Sequence, residues 1–139
     1  MTSLVIDTSV AVKWLNKDNE KNVDMADKIM VDAKNGKVEL LAPELIKYEI
    51  GNVLLFSKKI SGKDFGYLFK IFYSFPITFV SESEDLSKLT FALSASLGIT
   101  YYDASFLSIA KQYDATLVTE NIKHQGKSGD IKVVPLRDY

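Results

Sequence analysis

Three acidic residues are predicted to face the interior of the protein, where an ionised side chain needs a positive partner: Asp7, Glu49 and Asp103. Glu49 falls in the helical stretch PELIKYEIGNVLLFSKK, where a rotation of about 100° per residue points it into the middle of an apolar arc. That arc consists of Leu45, Ile46, Val53 and Phe56. It offers no lysine or arginine, and an ionised carboxylate driven into apolar surroundings without a positive partner is costly. The chain must supply a cation from elsewhere, and the pattern favours a metal ion shared with Asp7 and Asp103.

Asp7 and Asp103 each have a simpler explanation when they are considered alone. Asp7 closes the apolar run SLVID and can cap the helix that begins after it. Asp103 faces the apolar arc of a helix predicted from about Asp103 to Tyr113, but a first-turn aspartate can also cap a helix and answer its dipole. Capping does not explain Glu49, nor three inward carboxylates together. One shared cation would explain all three.

Carboxylates gathered around a hard divalent ion point to phosphodiester hydrolysis. Mg²⁺ prefers oxygen ligands and usually takes one or two carboxylates together with water and substrate phosphate oxygens. A site of this kind can activate water and stabilise charge on a phosphodiester, with two ions about 4 Å apart in its complete version. Lys13, which lies one turn after Asp7, is a candidate to bind a substrate phosphate.

Length, composition and charge limit the classes of protein to consider. With 139 residues, 47% of them apolar, the chain fits a single domain over residues 1–139. The absence of cysteine excludes disulfide scaffolds and thiolate metal sites. With 17 basic and 18 acidic residues the net charge is −1, so nucleic-acid contacts must come from local patches. We see neither a signal-peptide pattern nor an apolar run near the roughly 20 residues of a membrane span, and expect a soluble, cytoplasmic protein without membrane contact.

Short apolar strands alternate with amphipathic helices along the chain. The predicted strands are SLVID, VELLA, ITFV, ATLVT and IKVVP. Ser83 and Gly98 mark the start and end of one intervening helix, and NIKHQGKSGD is predicted to be a polar loop. This alternation predicts an α/β fold with three layers (αβα), in which helices cover a mostly parallel sheet. Such sheets bind ligands beyond the carboxyl ends of their strands.

The predicted helix DFGYLFKIFYSF is apolar over an unusually wide arc. Its large apolar side chains occupy about 200° of the circumference at 100° per residue, which exceeds the stripe needed to cover one core face. Packing between the sheet and a neighbouring helix explains this width, and so does a homodimer surface. Both interpretations stay open at this point.

Several strings of the chain closely resemble the PIN domain, particularly the VapC-type toxin ribonucleases of type II toxin–antitoxin pairs. They are VIDTS with Val12, Trp14 and Leu15, then APELIKYEIGNVL, then TYYDASFLSIAKQYDATLVTEN. The resemblance spans essentially the whole chain. It implies that the acids matching Asp7, Glu49 and Asp103 gather around Mg²⁺ or Mn²⁺ and cleave RNA. It also implies a homodimer and a small cognate antitoxin protein whose C-terminal segment masks the acidic cleft.

The last motif contains two supporting matches and one departure. Ser9 and Thr119 match the small hydroxyl residues that accompany the first and fourth motifs. The family usually has a fourth acid two residues after the threonine, where this chain has Asn121. Asparagine can still offer a carbonyl oxygen to a cation, but it removes one negative charge and should weaken a second ion most. Glu120 is a poor substitute, because neighbouring residues on an extended strand point to opposite faces.

We therefore expect a metal-dependent endoribonuclease with slow cleavage or none. Asp7 and Asp103 would bind the ion, Glu49 would hold the ion or a coordinated water, and Asn121 would complete the shell. A catalytically silent PIN-like module that binds RNA or protein is the alternative from another class. A receiver domain would need paired acids at Asp7, and a haloacid-dehalogenase-type phosphatase would need a second aspartate at Ser9, so the sequence opposes both. The single histidine, His124, is interpreted as a solvated loop residue.

Overall fold

A five-stranded parallel sheet is the middle layer of the computed structural model, which describes residues 1–127 and 129–139. The strands are β1 (Thr2–Ile6), β2 (Val38–Pro43), β3 (Ile77–Val80), β4 (Thr116–Thr119) and β5 (Val133–Pro135). Their order is β3-β2-β1-β4-β5, and every neighbouring pair is parallel. In this register Leu4 lies between Leu40 and Thr116. The predicted fold class is confirmed.

Seven α-helices in the described residues flank this sheet. They are α1 (Thr8–Ala11), α2 (Val23–Lys34), α3 (Leu45–Asn52), α4 (Gly62–Ser74), α5 (Glu84–Leu97), α6 (Tyr101–Gln112) and α7 (Ile122–Gln125). Short 3₁₀ helices (Val12–Trp14 and Leu136–Asp138) and a π-helical turn (Val53–Ser57) complete the elements. The longest helix, α5, has 14 residues. No helix in the described residues is long and apolar enough to cross a membrane.

The central strands are buried on both faces, which explains why they appear in the sequence as continuous apolar runs. Val5 and Ile6 of β1 and Leu117 and Val118 of β4 are all 0% exposed. In a parallel sheet the crossover helices cover both faces, so these strands need apolar residues at successive positions. The burial of β1 and β4 fixes the backbone directly before the predicted site residues.

The strand order reverses between β1 and β4. The chain builds outward from β1 through β2 to β3, and then returns to place β4 on the other side of β1. At such a reversal the connections leave the sheet in opposite directions, and a crevice opens at the carboxyl ends of the two strands. Asp7 follows β1 and Thr119 ends β4, so both residues lie at this crevice.

Three elements differ from the sequence-based expectations. The segment predicted as a polar loop contains α7 (Ile122–Gln125). Helix α6 begins at Tyr101, two residues earlier than expected, because Thr100 caps it by accepting a hydrogen bond from the Asp103 N–H at 3.0 Å. Helix α3 passes into the π-helical turn, where 100° per residue no longer applies. Phe56 is consequently 69% exposed and does not enclose Glu49 as the helical wheel predicts.

Candidate active site

An open pocket of about 300 Å³ lies at the crevice between β1 and β4. Its lining residues are Asp7, Thr8, Ser9, Glu49, Asn52, Val53, Asp103 and Asn121. Four elements supply them: the turn after β1, helix α3 with its π-helical extension, the first turn of α6, and the turn after β4. The tertiary structure thus brings the three predicted carboxylates and Asn121 into one pocket.

Hydrogen bonds hold both oxygens of the Asp7 carboxylate. Oδ2 accepts from the Ser9 N–H at 3.1 Å, the Ser9 hydroxyl at 2.5 Å and the Thr119 hydroxyl at 3.1 Å. Oδ1 accepts from Nε2 of Gln125 at 3.3 Å. Asp7 does cap α1, as the simpler explanation predicted, but only the bond from the Ser9 N–H serves that purpose. The other three bonds orient a carboxylate that is 6% exposed at the pocket.

Ser9 and Thr119 connect Asp7 to the backbone that follows β4. Besides donating to Asp7, the Ser9 hydroxyl accepts from the Glu120 N–H at 3.0 Å. The Thr119 hydroxyl likewise accepts from the Asn121 N–H at 2.8 Å. Each hydroxyl therefore uses its one donor on the carboxylate and an acceptor lone pair on the chain. This arrangement couples the position of Asn121 to that of Asp7.

Glu49 is half-buried and faces the pocket from α3. The Thr8 hydroxyl donates to its Oε1 at 2.5 Å. Burial raises the pKa of Glu49; the Thr8 hydrogen bond lowers it, while the charges of Asp7 and Asp103 raise it again. The net result is a pKa above the usual glutamate value, because the bond from Thr8 does not offset burial and like-charge repulsion.

Asp103 approaches the pocket from the first turn of α6. Burial and the charge of Asp7 raise its pKa; His124 and hydrogen bonds with Thr100 and Asn121 lower it, and the net pKa is above the usual aspartate value. Asn121 donates from Nδ2 to Oδ2 of Asp103 at 3.5 Å. The amide nitrogen of Asn121 therefore faces the Asp103 carboxylate. The side-chain carbonyl oxygen of Asn121 takes no part in this contact. His124 is exposed at the end of α7, close enough for its charge to act on Asp103.

The pocket is acidic, and the described residues do not neutralise it. Within residues 1–127 and 129–139, no lysine or arginine forms a salt bridge with Asp7, Glu49 or Asp103. Over the same residues, no group of three or more Asp, Glu, His or Cys side chains is arranged to hold a metal ion by itself.

These donors suit a hard ion that keeps several water ligands. They are carboxylate, hydroxyl and amide oxygens, and Mg²⁺ in proteins is commonly bound through one or two carboxylates plus water. The absence of a closed ligand cage from the described residues is compatible with that habit. A divalent cation would also relieve the repulsion that raises the pKa values of Glu49 and Asp103. The residues present therefore fit such an ion.

Lys13 has a different environment from the one that the sequence suggested. It is 2% exposed, and its ammonium lies 2.7 Å from Oε1 of Glu20 and 3.3 Å from Oε2 of Glu120. Lys58 binds the other oxygen of Glu20 at 2.7 Å. Burial raises the pKa of Glu20, but the hydrogen bonds and charges of the two lysines outweigh it and lower the pKa. With its charge used in this way, Lys13 is poorly placed to bind a substrate phosphate.

Glu120 and two further residues complete the description of the site. Glu120 points away from the pocket, as expected, and its carboxylate accepts from Asn22 at 3.2 Å besides pairing with Lys13. Sequence reasoning missed Thr8 and Gln125, which bind Glu49 and Asp7. Thr8 adjoins Asp7 in the chain, so a helix-start hydroxyl beside an acid was a usable signal. Gln125 gave no signal, because its helix was predicted to be a loop.

Comparisons with known proteins bear on the family and on the fold. The family model described as PIN domain matches residues 4–127. No curated protein sequence matches the chain. Solved structures do match, at low sequence identity, and at such identities the likeness shows the fold alone.

Three of the similar solved structures illustrate this likeness. VapBC2 from Rickettsia felis, bound to a DNA fragment from its promoter, has a TM-score of 0.70 and 21% identity over 96% of this chain and 98% of that one. FitAcB from Neisseria gonorrhoeae has a TM-score of 0.69 and 16% identity over 98% and 99% of the two chains. VapC20 from Mycobacterium tuberculosis, a sarcin–ricin loop cleaving toxin, has a TM-score of 0.63 and 12% identity over 82% and 86%.

Proposed function

This chain belongs to the PIN domain family, and we propose that it is a metal-dependent endoribonuclease, the toxin of a type II toxin–antitoxin pair. One observation carries the proposal: Asp7, Glu49 and Asp103, supplied by three different elements, line one open pocket without a lysine or arginine salt bridge among the described residues. A structural role for three carboxylates would call for basic partners. A divalent cation bound by these carboxylates would neutralise them and could in turn bind a phosphate group of RNA.

In this proposal Asp7 and Asp103 would bind Mg²⁺ or Mn²⁺, Glu49 would hold the ion or a water bound to it, and Asn121 would complete the shell through its carbonyl oxygen or through water. When bound, such an ion supplies an activated water and neutralises negative charge near the scissile phosphate. Glu49, which faces the same pocket from α3, would help to orient the attacking water.

Three hydroxyl residues have supporting roles in the proposed site. Ser9 and Thr119 keep the Asp7 carboxylate in one orientation. Thr8 does the same for Glu49 and favours its ionised form, since a hydrogen bond to a carboxylate stabilises the charge. These contacts limit the reorganisation that the acids need during the reaction.

A catalytically silent RNA- or protein-binding module is the second candidate, and Asn121 is the observation that favours it. The amide contributes no charge, and its nitrogen faces Asp103. A site with three acids would bind an ion less tightly than a site with four. We therefore propose weakened cleavage for the native chain, and total absence of Mn²⁺-dependent cleavage would favour the silent module.

The proposed partners are RNA, a cognate antitoxin protein and a second copy of this chain, in the cytoplasm. One similar structure, from Klebsiella pneumoniae, is a toxin–antitoxin complex by name. Helix α4 has a buried side at Phe72, consistent with packing on the core, while its Tyr67 and Tyr73 are 68% and 56% exposed. These exposed aromatics support the homodimer that the wide apolar arc suggested. Sedimentation of the native chain beside Tyr67→Glu, with Tyr113→Glu directly after α6 as control, tests this part.

The central experiment compares Asp7→Asn with the native protein in a nuclease-free preparation. We expect Mn²⁺-dependent cleavage of single-stranded RNA to fall by about 100-fold or more, the scale seen when one electrostatic stabiliser of a transition state is lost. Asp85→Asn, which changes an exposed acid in the first turn of α5, is the matched control. Equal cleavage by Asp7→Asn and native protein would overturn the proposal.

A further inference from the structure

Gln125 is a fully buried polar residue for which the proposed mechanism has no role. It is the last residue of α7 and is 0% exposed. Its side chain nevertheless contacts two acidic residues that are far away in the sequence, Asp7 and Asp103. Buried glutamines are uncommon, and each needs hydrogen-bond partners for its amide. The partners of this amide define what the residue does.

The amide nitrogen of Gln125 bridges the two elements that carry Asp7 and Asp103. Nε2 donates to Oδ1 of Asp7 at 3.3 Å and to the backbone carbonyl oxygen of Asp103 at 3.3 Å. Both partners only accept hydrogen bonds, so they require the NH₂ group to face them and determine which way the amide is turned. The two N–H donors of one planar group thereby join the end of β1 to the first turn of α6.

The carbonyl oxygen of the same amide has no hydrogen-bond partner among the described residues. Oε1 is the one buried side-chain polar atom without a partner in that part of the chain. A buried acceptor without a donor carries a desolvation cost, so an apolar side chain would suit this half of the environment better. The chain retains glutamine despite that cost, and such local exceptions are concentrated at functional sites.

Gln125 also provides the only contact to Oδ1 of Asp7 in the described hydrogen-bond network. The other carboxylate oxygen, Oδ2, is occupied by Ser9 and Thr119. A carboxylate has about four acceptor positions, so Oδ1 keeps one for a further ligand. The contact from Gln125 sets the rotation of the carboxylate about its own axis, and with it the direction of that remaining lone pair.

We propose that Gln125 is a positioning residue that fixes Asp7 relative to Asp103 for binding a divalent cation. This inference rests on the proposed function and adds a residue to which the motifs assign nothing. The neutral amide is suited to the task, because a lysine would compete with the cation and a glutamate would repel Asp7. Residues that orient metal ligands in this way typically change metal affinity or activity by about 10–100-fold when mutated.

The test uses Gln125→Met, which keeps the length of the side chain and removes both donors. We expect Mn²⁺ affinity, measured by calorimetry on the RNA-free protein, to fall by about tenfold, and kcat for RNA cleavage to fall by about 10–100-fold. KM should change less than about twofold, since Gln125 does not line the pocket. Gln112→Met, at the exposed end of α6, is the matched control and should behave as native protein.

A second variant keeps the test decisive if Gln125→Met folds poorly. Gln125→Glu preserves the shape but replaces the donor that faces Asp7 with an acceptor. We expect its Mn²⁺ affinity and its kcat to fall at least as far as those of Gln125→Met. Native Mn²⁺ affinity and kcat in both variants, with only a lower melting temperature, would show a purely structural role and overturn the proposal. Native protein that neither binds Mn²⁺ nor cleaves RNA would overturn the proposed function itself.

Discussion

The hydroxyl oxygen of Thr8 lies 2.5 Å from Oε1 of Glu49, although the two residues are 41 positions apart in the chain. Thr8 is in the first turn of α1, directly after Asp7, and Glu49 is in the middle of α3. This hydrogen bond lowers the pKa of Glu49, while burial and the charges of Asp7 and Asp103 raise it more strongly. Ionisation of Glu49 therefore depends on a neighbour outside the proposed set of metal ligands.

Thr8→Val removes the hydroxyl and keeps the branched shape of the side chain. Without the donor, the pKa of Glu49 rises further above its usual value. If ionised Glu49 is required for cleavage, the acidic limb of the pH–rate profile moves to higher pH. Thr8→Ser keeps the donor and should leave the limb in place. An unchanged acidic limb in Thr8→Val would show that ionisation of Glu49 does not cause the pH dependence of cleavage.

Glu49→Gln should stabilise the metal-free protein at neutral pH. Because the folded-state pKa of Glu49 is raised, its ionisation disfavours the folded state, and this destabilisation is complete above the folded pKa. Below the unfolded pKa, near 4.3, both states hold the proton and the effect disappears. We expect a gain of about 1 kcal/mol at pH 7, measured by urea unfolding, which shrinks as the pH falls toward 4.

The exposed Glu39→Gln on β2 is the control for that measurement and should show little change at either pH. Addition of Mn²⁺ should make the native protein more stable than Glu49→Gln. The native chain gains stability by binding the ion, and the variant gains less. A variant that loses stability at pH 7 without metal would contradict the picture of mutually repelling carboxylates.

Asn121→Asp restores an acid at the end of β4 and tests how much charge the site lacks. The added carboxylate should raise the affinity for Mn²⁺ by about tenfold or more, since each bound charge attracts a divalent ion in a partly buried site. Cleavage should increase with it. Asn52→Asp adds the same charge from α3 in the same pocket and shows whether position matters. Strong cleavage by Asn121→Asp and none by native protein would establish the silent module for the natural chain.

Lys13→Met should destabilise the fold and leave substrate binding unchanged. Removing a buried ammonium leaves Glu20 with Lys58 alone and Glu120 without its lysine, and we expect a loss of about 2 kcal/mol after allowing for partial exposure of the glutamates. The lowered pKa of Glu20 contributes stability that is present above the unfolded glutamate pKa and lost as the pH falls through the folded pKa. The loss in Lys13→Met should therefore shrink on acidification.

Lys17→Met is the matched control, because the Lys17–Asp27 pair is exposed and should contribute little. Denaturant unfolding gives the stability of both variants, and KM for RNA reports on phosphate binding. A raised KM in Lys13→Met with unchanged stability would restore Lys13 as a phosphate ligand.

Local signals in the sequence sufficed for most of the fold. Ser83 and Gly98 bound α5 as predicted: Ser83 accepts from the Leu86 N–H at 3.1 Å, and Gly98 ends the helix with a positive φ of 65°. Both helix caps involve only a few neighbouring residues, so they can be predicted without knowledge of the rest of the chain. Alternation of strands and helices then leaves few topologies, which is why the parallel sheet was predictable.

The errors fall where local rules give way to contacts between distant residues. The helical wheel placed Phe56 beside Glu49, but the π-helical turn at Val53–Ser57 rotates the following side chains, and Phe56 is exposed. Helix α7 has only four residues, too few for a periodic pattern to be visible. The pairing of Lys13 with Glu120 depends on how the turn after β4 meets the 3₁₀ helix Val12–Trp14.

The sequence by itself determined the chemistry available to this protein: carboxylates after β1, within α3 and at the start of α6, with the amide of Asn121 after β4. Residue types and short-range periodicity carry that information, because they bias the backbone locally. Only the tertiary structure decided which groups serve those carboxylates. Thr8 reaches Glu49 and Gln125 reaches Asp7 across 41 and 118 positions. Hydrogen bonds of this kind are set by the packing of whole elements, because their partners come from distant parts of the chain.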